Sequence, residues 1–268
     1  MRSMGPCLRA LSNMVDKNPP ESKKALAQTG RGGHEAADCP DGSPGLHGKS
    51  GLDGKGPPRL LTDPAEAAGL LSQGMVGAIP TETAYGLAAS LKKEAALERI
   101  FSIKKRPRQK PLLLLISDPS MLEELSPLPL STAAEAIIRT FWPGPVTLLL
   151  PARPGLPFEV TGGTGKVGVR ISSNHMALDL VRISGFPVTA TSANLSGQPP
   201  CLSPEEVMKQ LSADPPDFIL DGGTLPPSPP STIVDCSGDR PVLVRAGVVT
   251  VEELLRAGIR VEPSKGPA

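Results

Sequence analysis

Aromatic side chains are scarce in this 268-residue chain, which has one Trp, one Tyr and five Phe. Proteins that hold nucleic acid by base stacking need several exposed rings, so a stacking platform is not expected. Cysteine and histidine are also few. Cys7, Cys39, Cys201 and Cys236 form no C-x-x-C pair, and His34, His47 and His175 lie far apart. Neither set has the spacing of a zinc site, so no metal site is expected. Reduced thiols of an intracellular, cytoplasmic protein are the simplest account of the cysteines. Long apolar runs are missing too: none approaches the roughly eighteen residues of a membrane span. Net charge is almost absent, at +1. A surface built to coat nucleic acid is basic over a whole face, which this total does not support.

The charge that is present is concentrated. The stretch IKKRPRQKPLLLLI, residues 103–116, places Lys104, Lys105, Arg106, Arg108 and Lys110 within seven positions and then turns apolar. Residues 1–57 carry eight Lys/Arg against six Asp/Glu, which leaves twenty against twenty-one for residues 58–268. A near-neutral body with one basic segment points to a local site for a small anionic ligand.

Composition divides the chain. In residues 1–57, Gly42, Gly45, Gly48, Gly51 and Gly54 follow a collagen-like period of three. Five triplets holding so little proline are too few for a triple helix, and a disordered, Gly-rich extension is expected. Arg2 and Arg9, with no acid in the first fifteen residues, also resemble a transit peptide, although Asp16 and Glu21 follow at once. A misassigned start codon fits equally. A single domain is expected over residues 58–262, with 263–268 a loose tail.

Within that domain, helices and strands alternate. Asp63, Pro64 and Glu66 read as a capping box with proline in the first turn, opening a helix that closes at Gly74. Residues 75–79 (MVGAI) read as a buried strand, and apolar Leu97, Ile100, Phe101 and Ile103 predict a helix over 93–104. LLLLI (112–116) reads as a strand buried on both faces. A helix over 131–142 with a Thr132/Glu135 box, strands at 146–150 and 167–171, a helix at 175–183 and a strand at 187–190 follow. Ser203 caps a further helix, and Thr250 with Glu253 caps the last. Strands at 218–220, 232–235 and 242–245 complete an α/β fold, a sheet covered by helices.

In such sheets, ligands gather where strands end and loops begin. Four loops of that kind are PTETAYGL (80–87), the basic segment, TSANLSG (191–197), and the pair bringing Ser231 and Arg245. Their small hydroxyl and amide side chains suit a polar ligand, although each loop alone also reads as an ordinary turn. Three apparent motifs fail. TGGTGKVG (161–168) has Val160 and Val167 where a P-loop needs Gly and a hydroxyl. SIKK with SAN imitates the boxes of penicillin-binding enzymes without a K-T-G. His175 could be a base, but a capping or surface position accounts for it.

PTETAYGL, KKRP…KP, FWPGPVTLLL, VGVRI, PVTATSANLSG and STIVD…VLVRAG occur in that order, and together they resemble the YrdC family of threonylcarbamoyl-AMP synthases. The resemblance spans about residues 58–256, with K-x-R at Lys104/Arg106 and S-x-N at Ser192/Asn194. It implies a single-domain, twisted open α/β sheet with flanking helices and a concave basic face. It also implies a reaction joining L-threonine, bicarbonate and ATP, with Mg²⁺ carried on the nucleotide, into threonylcarbamoyl-adenylate and pyrophosphate. A separate transferase would then pass the group to tRNA beside the anticodon. By motif, Thr83, Arg170, Ser192 and Ser231 contact threonine. Arg106, Lys110, Asn194 and Arg245 contact ATP, and Lys104 and Arg106 act as the catalytic pair by neutralising phosphate charge.

Several anionic groups packed together need such cations, and an attack by carbamate oxygen on phosphorus needs no protein nucleophile. Lys110 departs from the pattern, where a small polar residue is expected. The second C-terminal domain of the longer members and the Gly-rich N-terminus also fall outside it. A module binding tRNA or double-stranded RNA, without catalysis of its own, is the competing reading of the same basic segment. No membrane contact is expected.

Overall fold

A computed structural model describes residues 56–264. The expectations for residues 1–55, the Gly-rich extension and the transit-peptide reading among them, lie outside the described residues. The order is β1 (Arg59–Leu61), α1 (Pro64–Ser72), β2 (Gly77–Pro80), β3 (Tyr85–Ala88), α2 (Glu94–Lys104) and β4 (Leu114–Leu115). After a 3-10 turn at Pro119–Glu124 come α3 (Thr132–Phe141), β5 (Val146–Pro151), α4 (Phe158–Thr161), β6 (Lys166–Arg170) and α5 (His175–Ser184). The chain continues through β7 (Val188–Thr189), β8 (Thr191–Ser192), α6 (Pro204–Gln210), β9 (Phe218–Leu220) and β10 (Thr232–Asp235). It closes with β11 (Val242–Arg245), α7 (Val251–Arg256) and β12 (Glu262–Pro263).

The expected α/β architecture is present, and the sheet is divided into two hydrogen-bonded ladders. A five-stranded sheet runs β1-β9-β2-β3-β8 and a seven-stranded one runs β12-β11-β10-β5-β6-β4-β7. They join where β3 runs on: Ser90 bridges to Val188, and the Thr189 amide donates to Ala89 O at 2.9 Å. Both sheets mix parallel and antiparallel pairs, for example β2–β9 parallel and β2–β3 antiparallel. One large apolar cluster centres on Leu87, Ile100, Leu114, Trp142, Leu148 and Val169, between the seven-stranded sheet and α2 and α3. A second, around Leu71, Ile79, Leu180 and Phe218, packs α1 and α5 against the five-stranded sheet.

Several local expectations change. Asp63 caps α1 by accepting from the Ala65 amide at 2.8 Å, but Glu66 pairs with Arg59 instead of closing a box. Ser131, not Thr132, caps α3, accepting from Ala134 N at 3.2 Å. The cap moves by one position because either hydroxyl can serve, and the structure uses the one that leaves Ala134, Ile137 and Ile138 facing the core. Thr250 and Glu253 do form the reciprocal box. The boundary at Glu262 also moves, since β12 pairs with β11 and the Ser264 amide donates to Leu243 O at 3.2 Å. Gly162, Gly163 and Gly165 have positive φ and lead from α4 into strand β6, so TGGTGKVG is a turn before a strand and not a phosphate loop before a helix.

Candidate active site

The SAN loop after β7 and the end of β6 meet the β2–β3 hairpin, and the end of α2 packs on the SAN loop. The start of β10 meets the end of β11 through Ser231 and Arg245. β8 pairs with β3 through Gly86 and Ser192, and the Ala193 amide donates to Tyr85 O at 2.7 Å. β6 is tied to the β5 side through Gly144 N to Ile171 O at 2.8 Å. β10 begins where Thr232 N donates to Pro145 O at 2.9 Å.

Lys104 ends α2 with its side chain buried. Its ammonium donates to Ser192 O, to Asn194 O at 2.7 Å and to Asn194 Oδ1 at 3.2 Å. Burial, followed by the nearby Arg106 charge, pushes its pKa down to about 7. All three N–H directions are taken, so here Lys104 holds the SAN loop against α2 and does not face outward to phosphates as expected. Asn194 is equally committed: Nδ2 donates to Leu195 O at 2.8 Å and Gln198 O at 2.6 Å, while Oδ1 also accepts from Ser192 Oγ.

The helix end explains the neighbouring residues. Lys105 has φ 48°, and the amides of Lys105 and Arg106 donate to Ser102 O and Phe101 O, a Schellman turn. That geometry sends Lys105 to solvent and turns Arg106 back over the loop. Arg106 is half-buried, with Nε donating to Lys110 O at 2.9 Å and Nη2 to Pro111 O at 3.1 Å. Burial lowers its pKa. Lys110 contributes its carbonyl to this clamp while its side chain is exposed, and Arg108 is exposed beside Glu98. Ser102 is exposed with Lys105 turned away from the site, and His175 is an exposed first-turn residue of α5.

At the other strand ends, one charge is buried, that of Arg170, and one is exposed, that of Arg245. Arg170 closes β6 with its side chain 6% exposed and lies 3.1 Å from Glu82 Oε1. Glu82 Oε2 accepts from Ser172 Oγ. Arg245 forks onto Ser231, with Nε and Nη2 donating to Ser231 O at 3.0 and 2.8 Å and Nη2 to Ser231 Oγ at 2.9 Å. Ser231 Oγ also meets Thr147 Oγ1 at 3.1 Å. Gly247 permits this approach, because a Cβ there would lie 2.1 Å from Pro230 O. Desolvation and then the Arg170 charge lower the Arg245 pKa, although the residue lies at the exposed end of β11. Thr83 sits on the hairpin turn, its hydroxyl 3.2 Å from that of Thr81.

Sequence reasoning missed Glu82, Ser172 and Tyr85. Glu82 lies inside PTETAYGL, where a carboxylate between two threonines at a strand end is its available signal. Tyr85 is fully buried, donates to Gly223 O at 2.8 Å and accepts from Gly222 N at 3.0 Å, anchoring the loop after β9 to the hairpin.

The Sua5/YciO/YrdC family model, described as "Telomere recombination", matches residues 69–247. Threonylcarbamoyl-AMP synthase of Bacillus subtilis is 41% identical over 191 residues, covering 71% of this chain and 55% of its own length. The solved structure of P. abyssi Sua5 complexed with L-threonine has a TM-score of 0.72 at 34% identity, covering 76% of this chain and 62% of that one. E. coli YciO has a TM-score of 0.66 at 28% identity, covering 73% of this chain and 98% of its own. The chain thus spans little more than half the length of the B. subtilis relative. With the fold, the ordered motifs and the family model over residues 69–247 in agreement, the chain belongs to the Sua5/YciO/YrdC family.

Proposed function

We propose that the chain is an L-threonylcarbamoyladenylate synthase, a nucleotidyltransferase that forms threonylcarbamoyl-AMP and pyrophosphate from L-threonine, bicarbonate and ATP. The observation that carries this reading is the set of strand-end cations, Arg170 buried against Glu82 and Arg245 forked onto Ser231. Two guanidinium groups against one carboxylate suit an anionic ligand, and Thr83, Ser192 and Ser231 supply hydroxyls for it. The names of the relatives, and the threonine held by P. abyssi Sua5, support the choice of ligand.

In this proposal the threonine amine and bicarbonate form a carbamate with loss of water. A carbamate oxygen then attacks the α-phosphorus and pyrophosphate leaves, with positioning and charge neutralisation as the protein's contribution. Arg170 and Ser231 hold the threonine side, and Arg106 and Arg245 the nucleotide. Lys104 and Asn194 keep the SAN loop in place, so their part in catalysis is positional. Mg²⁺ arrives with ATP as its counter-ion, and the proposal assigns the ion no protein ligand. We place the reaction in the cytoplasm, upstream of a transferase that modifies tRNA. Among the described residues no helix is long and apolar enough to cross a membrane.

Pyrophosphate release by the purified chain tests the reading. Release that requires both L-threonine and bicarbonate, at rates that tolerate modest salt, is expected. Release with neither present marks a plain ATPase. Tight RNA binding that collapses with salt, without any release, marks the RNA module instead.

A further inference from the structure

The hairpin tip that carries Glu82 is rigid. Thr81 Oγ1 donates to Ala84 O at 2.7 Å and accepts from the amides of Thr83 and Ala84, each at 3.3 Å. Ser172 is held as well, because its hydroxyl accepts from the Asn174 amide at 3.2 Å while donating to Glu82 Oε2. Asn174 in turn caps α5. The carboxylate therefore has one orientation. Within it, Glu82 Oε1 is fully buried and accepts no hydrogen bond. Arg170 Nη1 lies 3.1 Å away, near enough to pair by charge but not aligned to donate.

A carboxylate oxygen can accept two hydrogen bonds, and leaving a buried one with none is unfavourable. The cluster thus lacks two things at once. With the exposed Arg245 nearby, its guanidinium groups outnumber its one carboxylate, and the buried Glu82 Oε1 wants an N–H donor. A molecule with a carboxylate and an ammonium on adjacent atoms supplies both. An α-amino acid is such a molecule, and neither a simple carboxylate nor a simple amine is.

We propose that Glu82 Oε1 receives the α-ammonium of the amino-acid substrate, so that Glu82 and Arg170 together read the zwitterion. The inference rests on the synthase reading for which amino acid is bound, and adds a binding residue that selects amino acids over hydroxy acids. It also predicts opposite signs for two ligands. Neutralising Glu82 removes the partner of the ammonium, yet strengthens the field of Arg170 and Arg245 on the ligand's carboxylate. A hydroxy acid should then hold its affinity or gain, while the amino acid loses.

The test uses the full chain and two probes, L-threonine and 2,3-dihydroxybutanoate of matching configuration, which replaces the ammonium with a hydroxyl. Binding is measured by calorimetry for the wild type, Glu82→Gln and Glu82→Asp, with thermal melting as the check on folding. Glu82→Gln should weaken threonine roughly ten- to a hundredfold and leave dihydroxybutanoate unchanged or tighter. Glu82→Asp keeps the charge but withdraws it, and should weaken threonine more than dihydroxybutanoate. Equal losses for the two probes in either variant reduce Glu82 to a counter-ion of Arg170 and overturn the inference, as does unchanged threonine binding. In both cases a wild type that still releases pyrophosphate leaves the synthase reading intact. A wild type that neither binds threonine nor releases pyrophosphate overturns both.

Discussion

The basic loop and the strand ends of β6 and β11 both present arginine, and they use it in opposite ways. In the loop, five cations crowd into residues 104–110, yet Arg108 and Lys110 are exposed and Arg106 spends two donors on its own backbone. At the strand ends, Arg170 is buried against Glu82, while Arg245, exposed at the end of β11, forks onto Ser231. Density of charge along the chain is therefore a poor guide to density of charge in the site. An exposed ion is screened by water, while a buried one acts at close to full strength.

Removing a buried member of the strand-end cluster separates the two regions most sharply. Arg170→Met leaves Glu82 buried without its counter-ion and should cost about 3–5 kcal/mol of stability. Arg108→Ala in the loop removes only an exposed pair with Glu98 and should cost under about 1 kcal/mol. Urea unfolding of both variants checks this, and similar losses would mean that the loop is as deeply integrated as the strand ends.

Within the loop, the contrast should reappear on a smaller scale. Arg106→Lys keeps the charge but loses the fork that clamps Lys110 O and Pro111 O. ATP affinity should fall by roughly 1.5–3 kcal/mol, about ten- to a hundredfold. Lys105→Ala, on the exposed side of the helix end, should change it less than about threefold. Dissociation constants at fixed salt decide the matter, and equal losses would favour a phosphate-coating surface over a nucleotide pocket.

The smallest effect is expected at the hairpin itself. Burial, opposed by the Gly222 amide, pushes the Tyr85 hydroxyl up to about 12. Between about pH 10 and 12 the unfolded chain loses that proton while the native chain keeps it. Stability is complete below about pH 10 on this account and falls by up to about 2 kcal/mol as pH rises through the window. Tyr85 is the one tyrosine in the sequence, so absorbance in the phenolate band titrates it alone. A midpoint near the ordinary value of about 10 in the folded protein would show that the phenol is not held as described.

How much of this was legible beforehand can be judged residue by residue. Periodicity located the helices well, because an amphipathic face must be buried whatever surrounds it. It did not choose between Ser131 and Thr132, since two adjacent hydroxyls are equivalent until the core sets the helix phase. The ordered motifs lead to Arg170, Ser192, Ser231 and Arg245; the structure brings the first two to the β2–β3 hairpin and pairs the last two with each other. Lys104 was assigned by motif to phosphate, whereas its ammonium closes on three oxygens of the SAN loop. Its partners lie 88 and 90 residues away in the chain, a separation that no local pattern encodes.

By itself, the amino-acid order determined the alternation of strands and helices, the family, and the residue types available for an anionic ligand. Those follow from local physics: apolar spacing, capping chemistry and turns. Only the tertiary structure decided which charges face each other. Glu82 becomes a partner of Arg170 because the β2–β3 hairpin of one sheet meets the end of β6 in the other. Whether a carboxylate is a solvated surface group or a buried acceptor is set by what the fold packs around it, and that depends on contacts between segments that the chain separates widely.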